Sequence, residues 1–238
     1  MTRRLSSLFC VISAVGNDYG IFTYKQRLEQ LIGTINSIRK RVPDADVVLY
    51  DASEDPLPKQ DAELLSGMVN KLSFLHDDPY ISFLKHKSLD PTPNKFEKKT
   101  VGEIQCMLAF LEDLRSSGRR YDRVFKLSGR YQLSEAFDLQ FYQDKDDTCV
   151  LLDKEDWYGE RVFTLRLWSF DYSLLYSVLD AFRAIQRHTY ETVTETGKLE
   201  IVEYAFTKFI ERFAMPYITV DRIGVRGLMG LGGHYVDQ

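Results

Sequence analysis

From Ser7 to Val15 the chain reads SLFCVISAV, apolar at odd and even positions alike. A strand that is apolar on both faces belongs inside a sheet covered on both sides, typically a parallel one. The polar stretch GNDYGIFTY follows it. Between Lys25 and Val42 the apolar positions become Leu28, Leu31, Ile32, Ile35, Ile38 and Val42, the three-to-four spacing of a helix. Arg39, Lys40 and Arg41 fill the last turn, where cations suit the helix dipole, and Pro43 stops the helix. ADVVLYDAS then predicts a second strand ending at Asp51. Strand, helix and strand make one βαβ unit with a right-handed crossover.

Helical spacing returns over residues 58–75. Residues 76–99, HDDPYISFLKHKSLDPTPNKFEKK, are rich in proline and lysine and have no period, which predicts a long loop. Thr100, with Glu103 three residues on, reads as a capping box. The helix it opens has an apolar face of Val101, Ile104, Met107, Leu108, Leu111 and Leu114. YDRVFKLSGRY is then a strand with a polar end, and TCVLLD a short strand. RVFTLRLWSF alternates, which predicts an antiparallel or edge strand with Arg166 and Trp168 on one face. Helices near 171–187 and 198–213 follow, then the strand YITVD. This order predicts one α/β domain over residues 1–238, Rossmann-like, with a mixed, mostly parallel central sheet flanked by helices. Residues 222–238 form a glycine-rich tail or lid.

Composition narrows the function. A net charge of −4 lacks the basic excess of a nucleic-acid binder. Cys10, Cys106 and Cys149 each sit in an apolar run, and an odd, widely spaced set is no disulfide framework. Buried free thiols fit a reducing compartment, so a cytoplasmic location is expected. The four histidines are scattered, with no HExxH and no paired CxxC, which argues against a structural zinc. No apolar run approaches the roughly 20 residues of a membrane helix. The start MTRRLSSLFCVISAVG imitates a signal peptide, but LFCVISA reads better as the first buried strand. Oligomeric state is left open.

Ligands of an open parallel sheet bind beyond the carboxyl ends of its strands. Three strand ends carry polar groups: Ser13, Gly16, Asn17 and Asp18; then Asp51, Ser53 and Asp55; then Ser128, Gly129, Arg130 and Tyr131. Lys126 lies two residues before Ser128. The predicted topology brings these groups to one crevice.

FCVISAVGNDYG, a helix, DVVLYDASED and YDRVFKLSGRY together resemble the nucleotide-sugar half of GT-A fold glycosyltransferases. The resemblance spans about residues 7–220 in order of elements. It implies a nucleoside-diphosphate sugar as donor and a glycan or other hydroxyl as acceptor. It also implies that the first strand and its loop, with Ser13 and Asn17, hold the nucleotide, and that Asp51 faces the base or ribose. Where that family carries a metal-binding Asp-x-Asp, this chain has Ser128-Gly129-Arg130. The departing diphosphate gains negative charge and needs a cation. A divalent Mg or Mn is one solution, and an arginine fork, which matches phosphate bidentately, is another. Arg130, with Lys126 or a lysine from 95–99, is the candidate replacement, and Gly129 would let backbone approach the ligand. The acidic clusters at Asp77–Asp78, Asp144–Asp147 and Asp153–Asp156 leave the metal question open.

An inverting transferase needs a carboxylate base near the acceptor hydroxyl. The helix GKLEIVEYAFTKFIERF offers Glu200 in its first turn, where the dipole explains an acid, and Glu203 one turn later. Glu203 is the candidate base. Trp157 in a polar turn and Arg166 are candidates for the acceptor. The glycine-rich tail, with His234, could cover the diphosphate with backbone amides. The rival reading is a non-catalytic nucleotide- or glycan-binding α/β protein, or a subunit of an assembly. A nucleotidyltransferase fits less well, because no base follows the glycines of SAVGNDYG before Lys25.

Overall fold

The strand β1 (Ser7–Ser13) is buried along almost all of its length. It pairs in parallel with β2 (Asp46–Asp51) on one side and β4 (Arg123–Ser128) on the other. A computed structural model describes residues 5–16, 21–82, 95–155, 159, 161–228 and 234–238. Between β1 and β2 runs α1 (Tyr24–Arg41). Its N-terminus is closed by a reciprocal capping box. The Thr23 side chain accepts from the Gln26 amide, and the Gln26 side chain accepts from the Thr23 amide at 2.9 Å.

After β2 come α2 (Lys59–Met68), β3 (Lys71–Phe74) and α3 (Lys95–Ser117). Beyond β4 follow β5 (Tyr131–Leu133), β6 (Cys149–Glu155) and β7 (Arg161–Asp171). The chain continues through α4 (Leu175–Thr196), α5 (Val202–Arg212), β8 (Tyr217–Val220), β9 (Val225–Leu228) and β10 (Tyr235–Asp237). The main sheet is ordered β3-β2-β1-β4-β7-β6-β8. Only β7 runs antiparallel to its neighbours. The second sheet is ordered β10-β9-β5.

Two apolar layers form, one on each face of the main sheet. The first gathers Ile104 and Leu111 of α3, Phe182 of α4 and Phe206 of α5 over Cys10, Val124 and Trp168. The second gathers Leu31 and Ile35 of α1 with Phe9, Phe125, Phe137 and Tyr142. Both faces are covered, which is why β1 has no polar side. A mixed α/β architecture with a mostly parallel central sheet is the expected fold class, and it is present.

Several local expectations give way to packing. The helical spacing over 58–75 stops at Met68, and residues 71–74 pair in parallel with β2 as an edge strand. Helix α3 begins at Lys95, so Thr100 and Glu103 are interior and buried and no capping box forms there. The helix placed near 171–187 runs on to Thr196, where Gly197 takes the left-handed conformation (φ 68°) that ends it. Helix α5 starts at Val202, which puts Glu203 in its first turn and leaves Glu200 outside it.

In β7, Arg166 and Trp168 do not share a face. The register against β6 jumps from Val150↔Ser169 to Leu152↔Thr164. The extra residues on β7 form a bulge that resets the alternation. Trp168 is buried beside Phe206, with ring centroids 4.9 Å apart. The Arg166 guanidinium lies 5.6 Å from the centre of the Tyr131 ring, in the other layer.

Candidate functional site

A cleft opens at the carboxyl ends of β1, β2 and β4, between α1 and α3. It holds about 680 Å³ of empty space, counting the open mouth. Residues 12–15 and Ala52 line one wall, Lys99, Gly102 and Glu103 of α3 another, and Ser128, Gly129 and Arg130 the floor. The ends of the three strands meet there, and of the polar groups expected at the crevice Ser13, Ser128, Gly129 and Arg130 line it, whereas Asp51, Ser53 and Tyr131 do not.

Asp51 does not face open space. Its Oδ2 accepts from Ser13 Oγ at 2.5 Å and from the Val15 amide at 3.2 Å, and its Oδ1 accepts from the Ser53 amide at 2.9 Å. The Gly16 amide donates to Ser53 Oγ at 2.7 Å. The carboxylate and Ser13 therefore tie the β1 loop to the β2 loop. Asn17 and Asp18 lie outside the described residues. Arg27, which sequence reasoning passed over, also lines the cleft. It donates to the carbonyls of Ala14 (3.2 Å) and Phe22 (3.1 Å) and so spans the β1 loop. It falls on a polar position of a regular helix pattern, which hid it.

At the β4 end the polar groups divide. Lys126 points into the interior. Its Nζ pairs with Glu103, bonds Ser128 Oγ at 2.9 Å and donates to the Leu165 carbonyl. Gly129 lines the cleft, but the space where a side chain would start is filled. A Cβ there would stand 3.0 Å from Ser13 Cβ and 3.2 Å from the Ile12 carbonyl oxygen, while its amide bonds that same carbonyl at 2.8 Å. Tyr131 is buried in the second layer. Arg130, between Gly129 and Tyr131, is half-buried and lines the cleft. Among the described residues no carboxylate pairs with its guanidinium.

Lys99 is the second accessible cation of the cleft. Its Nζ lies 3.4 Å from Glu203 Oε1 and 3.9 Å from Glu103 Oε2. Glu203 raises the Lys99 pKa above its ordinary value against the effect of burial, Glu103 adds to the rise, and Arg130 opposes it. For Glu203, burial pushes upward but is outweighed by Lys99, a backbone hydrogen bond and Lys126, which together hold the carboxyl below its usual range. Glu203 is fixed from below. The Phe163 amide of β7 donates to Thr207 Oγ1 at 2.9 Å, and that hydroxyl donates to the Glu203 carbonyl at 2.8 Å.

Arg166 donates to the Gln238 side chain, whose backbone bonds Val225 in both directions. It thus anchors the C-terminal hairpin. Tyr131 of β5 pairs with Gly227 of that hairpin, and a Cβ on Gly227 would stand 2.7 Å from the Arg130 carbonyl oxygen. Part of the predicted tail is therefore strand, packed against the segment that carries Arg130. His234 is exposed just before β10. Trp157 lies outside the described residues, as do residues 229–233.

No protein-family model matches the chain, and no curated protein sequence does. Solved structures do. Core-mannan synthase A from Aspergillus fumigatus, in an Mn/GDP form, is similar at TM-score 0.52 and 10% identity, over 94% of this chain and 74% of that one. Mouse xyloside xylosyltransferase 1, in apo form, is similar at TM-score 0.50 and 7% identity, over 90% of this chain and 84% of that one. The fold is GT-A-like. The nucleoside-diphosphate-sugar pyrophosphorylase from Vibrio cholerae is similar at TM-score 0.49 and 12% identity, over 94% and 96% of the two chains, too loosely to argue from.

The GT-A-like cleft does not fit a divalent metal with the residues described. Ser128-Gly129-Arg130 offers no carboxylate where Asp-x-Asp would stand. Asp51 is committed to three donors, and Glu103 and Glu203 are neutralised by lysines. Elsewhere, Asp78 Oδ1 accepts from the amides of Tyr80 and Ile81, Asp147 accepts from Ser173 Oγ at 2.5 Å, and Asp153 pairs with Arg161 at 2.7 Å. Among the described residues, no group of three or more His, Cys, Asp or Glu is placed to hold a metal ion.

Proposed function

We propose that the chain is a glycosyltransferase that moves a sugar from a nucleoside-diphosphate sugar to a hydroxyl of a glycan or other acceptor. The observation that carries this reading is the Arg130 guanidinium. It lies on the floor of a cleft at the strand ends of a GT-A-like fold, without a carboxylate partner among the described residues. An unpaired guanidinium in a partly dehydrated cleft invites an anion, and its planar fork matches phosphate oxygens bidentately.

In this reading the acceptor oxygen bonds the anomeric carbon as the bond from that carbon to the diphosphate oxygen breaks. The electron pair leaves on the nucleoside diphosphate, where Arg130 meets the growing charge. The hydroxyl proton passes to Glu203 in an inverting reaction. Asp51, Ser13 and Arg27 shape the nucleotide wall by holding the loops. Lys126 acts one step back, by neutralising Glu103 in the cleft wall. The three thiols suit a reducing, cytoplasmic setting: they are buried and free, and burial raises Cys149 to about 12. No helix among the described residues is long and apolar enough to cross a membrane.

A non-catalytic nucleotide- or glycan-binding protein is the second reading. The Lys99–Glu203 pair favours it, because a base already held by a cation is a weak one. Thermal-shift titration with UDP-, GDP-, CMP- and dTDP-sugars separates both readings from a chain with no such ligand. Release of free nucleoside diphosphate in the presence of acceptor then separates the first from the second.

A further inference from the structure

Lys99 serves two carboxylates, neither of them tightly. Glu103 already has a closer cation in Lys126, and the 3.4 Å contact to Glu203 is at the loose end of hydrogen-bond geometry. The Lys99 side chain keeps 39% of its exposure and lines the same cleft as Arg130. Lysine is a point charge on a flexible stem, able to turn where arginine's fork is fixed. Glu103, Glu203, Lys99 and Lys126 sum to zero formal charge. Arg130 makes the cluster net positive, so the site is short of one or more negative charges. A diphosphate on Arg130 supplies them within reach of Lys99.

We propose that Lys99 is an exchangeable cation: it holds Glu203 in the free protein and turns to the diphosphate when the donor binds. The proposal rests on the reading that Arg130 takes the donor's diphosphate. Its consequence is an order of events. Glu203 loses its nearest cation only once the donor is in place. The charges then facing it are Lys126 from β4 and Glu103 from α3, and its carboxylate becomes the stronger base when a base is needed.

The test is calorimetric titration of uridine diphosphate and guanosine diphosphate in EDTA, with wild type, Glu203→Gln, Lys99→Met and the double variant. Exchange makes Glu203 a competitor for Lys99. Glu203→Gln should therefore tighten binding by up to roughly fivefold, the worth of a part-exposed ion pair. Lys99→Met should weaken binding and abolish the effect of Glu203→Gln. Lys99→Gln replaces Lys99→Met if melting curves show that variant unfolded. If Glu203→Gln leaves binding unchanged or weaker, or tightens it equally without Lys99, the exchange is overturned. Loss of binding in Arg130→Ala would then leave the diphosphate reading standing. If wild type binds neither nucleotide, the exchange and the diphosphate reading both fail.

Discussion

Lys126 and Glu103 form an ion pair inside the protein, with side chains 1% and 5% exposed. A buried charge that loses its partner is costly, on the order of 3–5 kcal/mol, whereas replacing both partners with apolar residues is often nearly neutral. Lys126→Met should lower stability by about 3 kcal/mol, the lower end of that range, because Lys99 stands 3.9 Å from Glu103 and compensates in part. The double variant Lys126→Met with Glu103→Leu should recover most of the loss. Urea midpoints of the three proteins check this. A donor-binding Lys126 would instead show lost affinity at unchanged stability.

Gly102 gives a prediction of sign. Alanine in place of glycine within a helix ordinarily stabilises by about 1 kcal/mol. Here the new Cβ would stand 2.8 Å from Ala52 Cβ, because α3 presses on the end of β2 at the cleft wall. Overpacking of this kind costs about 1–3 kcal/mol. Gly102→Ala should lower the melting temperature, and a raised one would show that α3 can move aside.

Asp51 is saturated with donors, so Asp51→Asn should turn an amide NH2 toward at least one of them. An unsatisfied buried donor costs about 1–3 kcal/mol. Denaturant unfolding should show that loss. Nucleotide affinity should fall less than in a variant that removes a ligand contact.

The Glu203–Lys99 pair sets a pH window. Glu203 is depressed below 4.5, so its contribution to stability is present above that value and is lost as pH falls through its lower folded value. Lys99 is raised above 10.5, so its contribution holds below that value and is lost as pH rises through its higher folded value. In the free protein the pair is therefore intact across the neutral range. The acid limb of kcat/KM, which reports the free enzyme, should fall below pH 4.5. A limb near neutrality would assign the base to another group.

Much of the scaffold was written in the hydrophobic pattern. β1, α1, β2 and β4 are strongly periodic or doubly apolar, and they place the cleft by themselves. β3 was hidden because a four-residue edge strand carries too few positions to break the helix period before it. Lys99 was marked only as one of the lysines of 95–99, because it lies in a segment with no period, where no spacing singles out its face. Arg166 and Trp168 were assigned to one face because a bulge, which resets alternation, leaves no mark on the residues. The stretch VFKLSGRY showed that cations gather at the end of β4. It did not show that Lys126 is interior while Arg130 reaches the cleft. That division depends on Glu103, brought over the sheet by α3.

The claim that Arg130 takes the donor's diphosphate without a metal rests on one side chain. The most direct test is calorimetric titration of uridine diphosphate and guanosine diphosphate into wild type and Arg130→Ala, in EDTA and in Mn²⁺. The account predicts that wild type binds one of them equally well in both conditions. Arg130→Ala should lose at least tenfold in affinity, about 1.4 kcal/mol, with an unchanged melting temperature. Undiminished binding by Arg130→Ala, or wild-type binding that appears only with Mn²⁺, would contradict it.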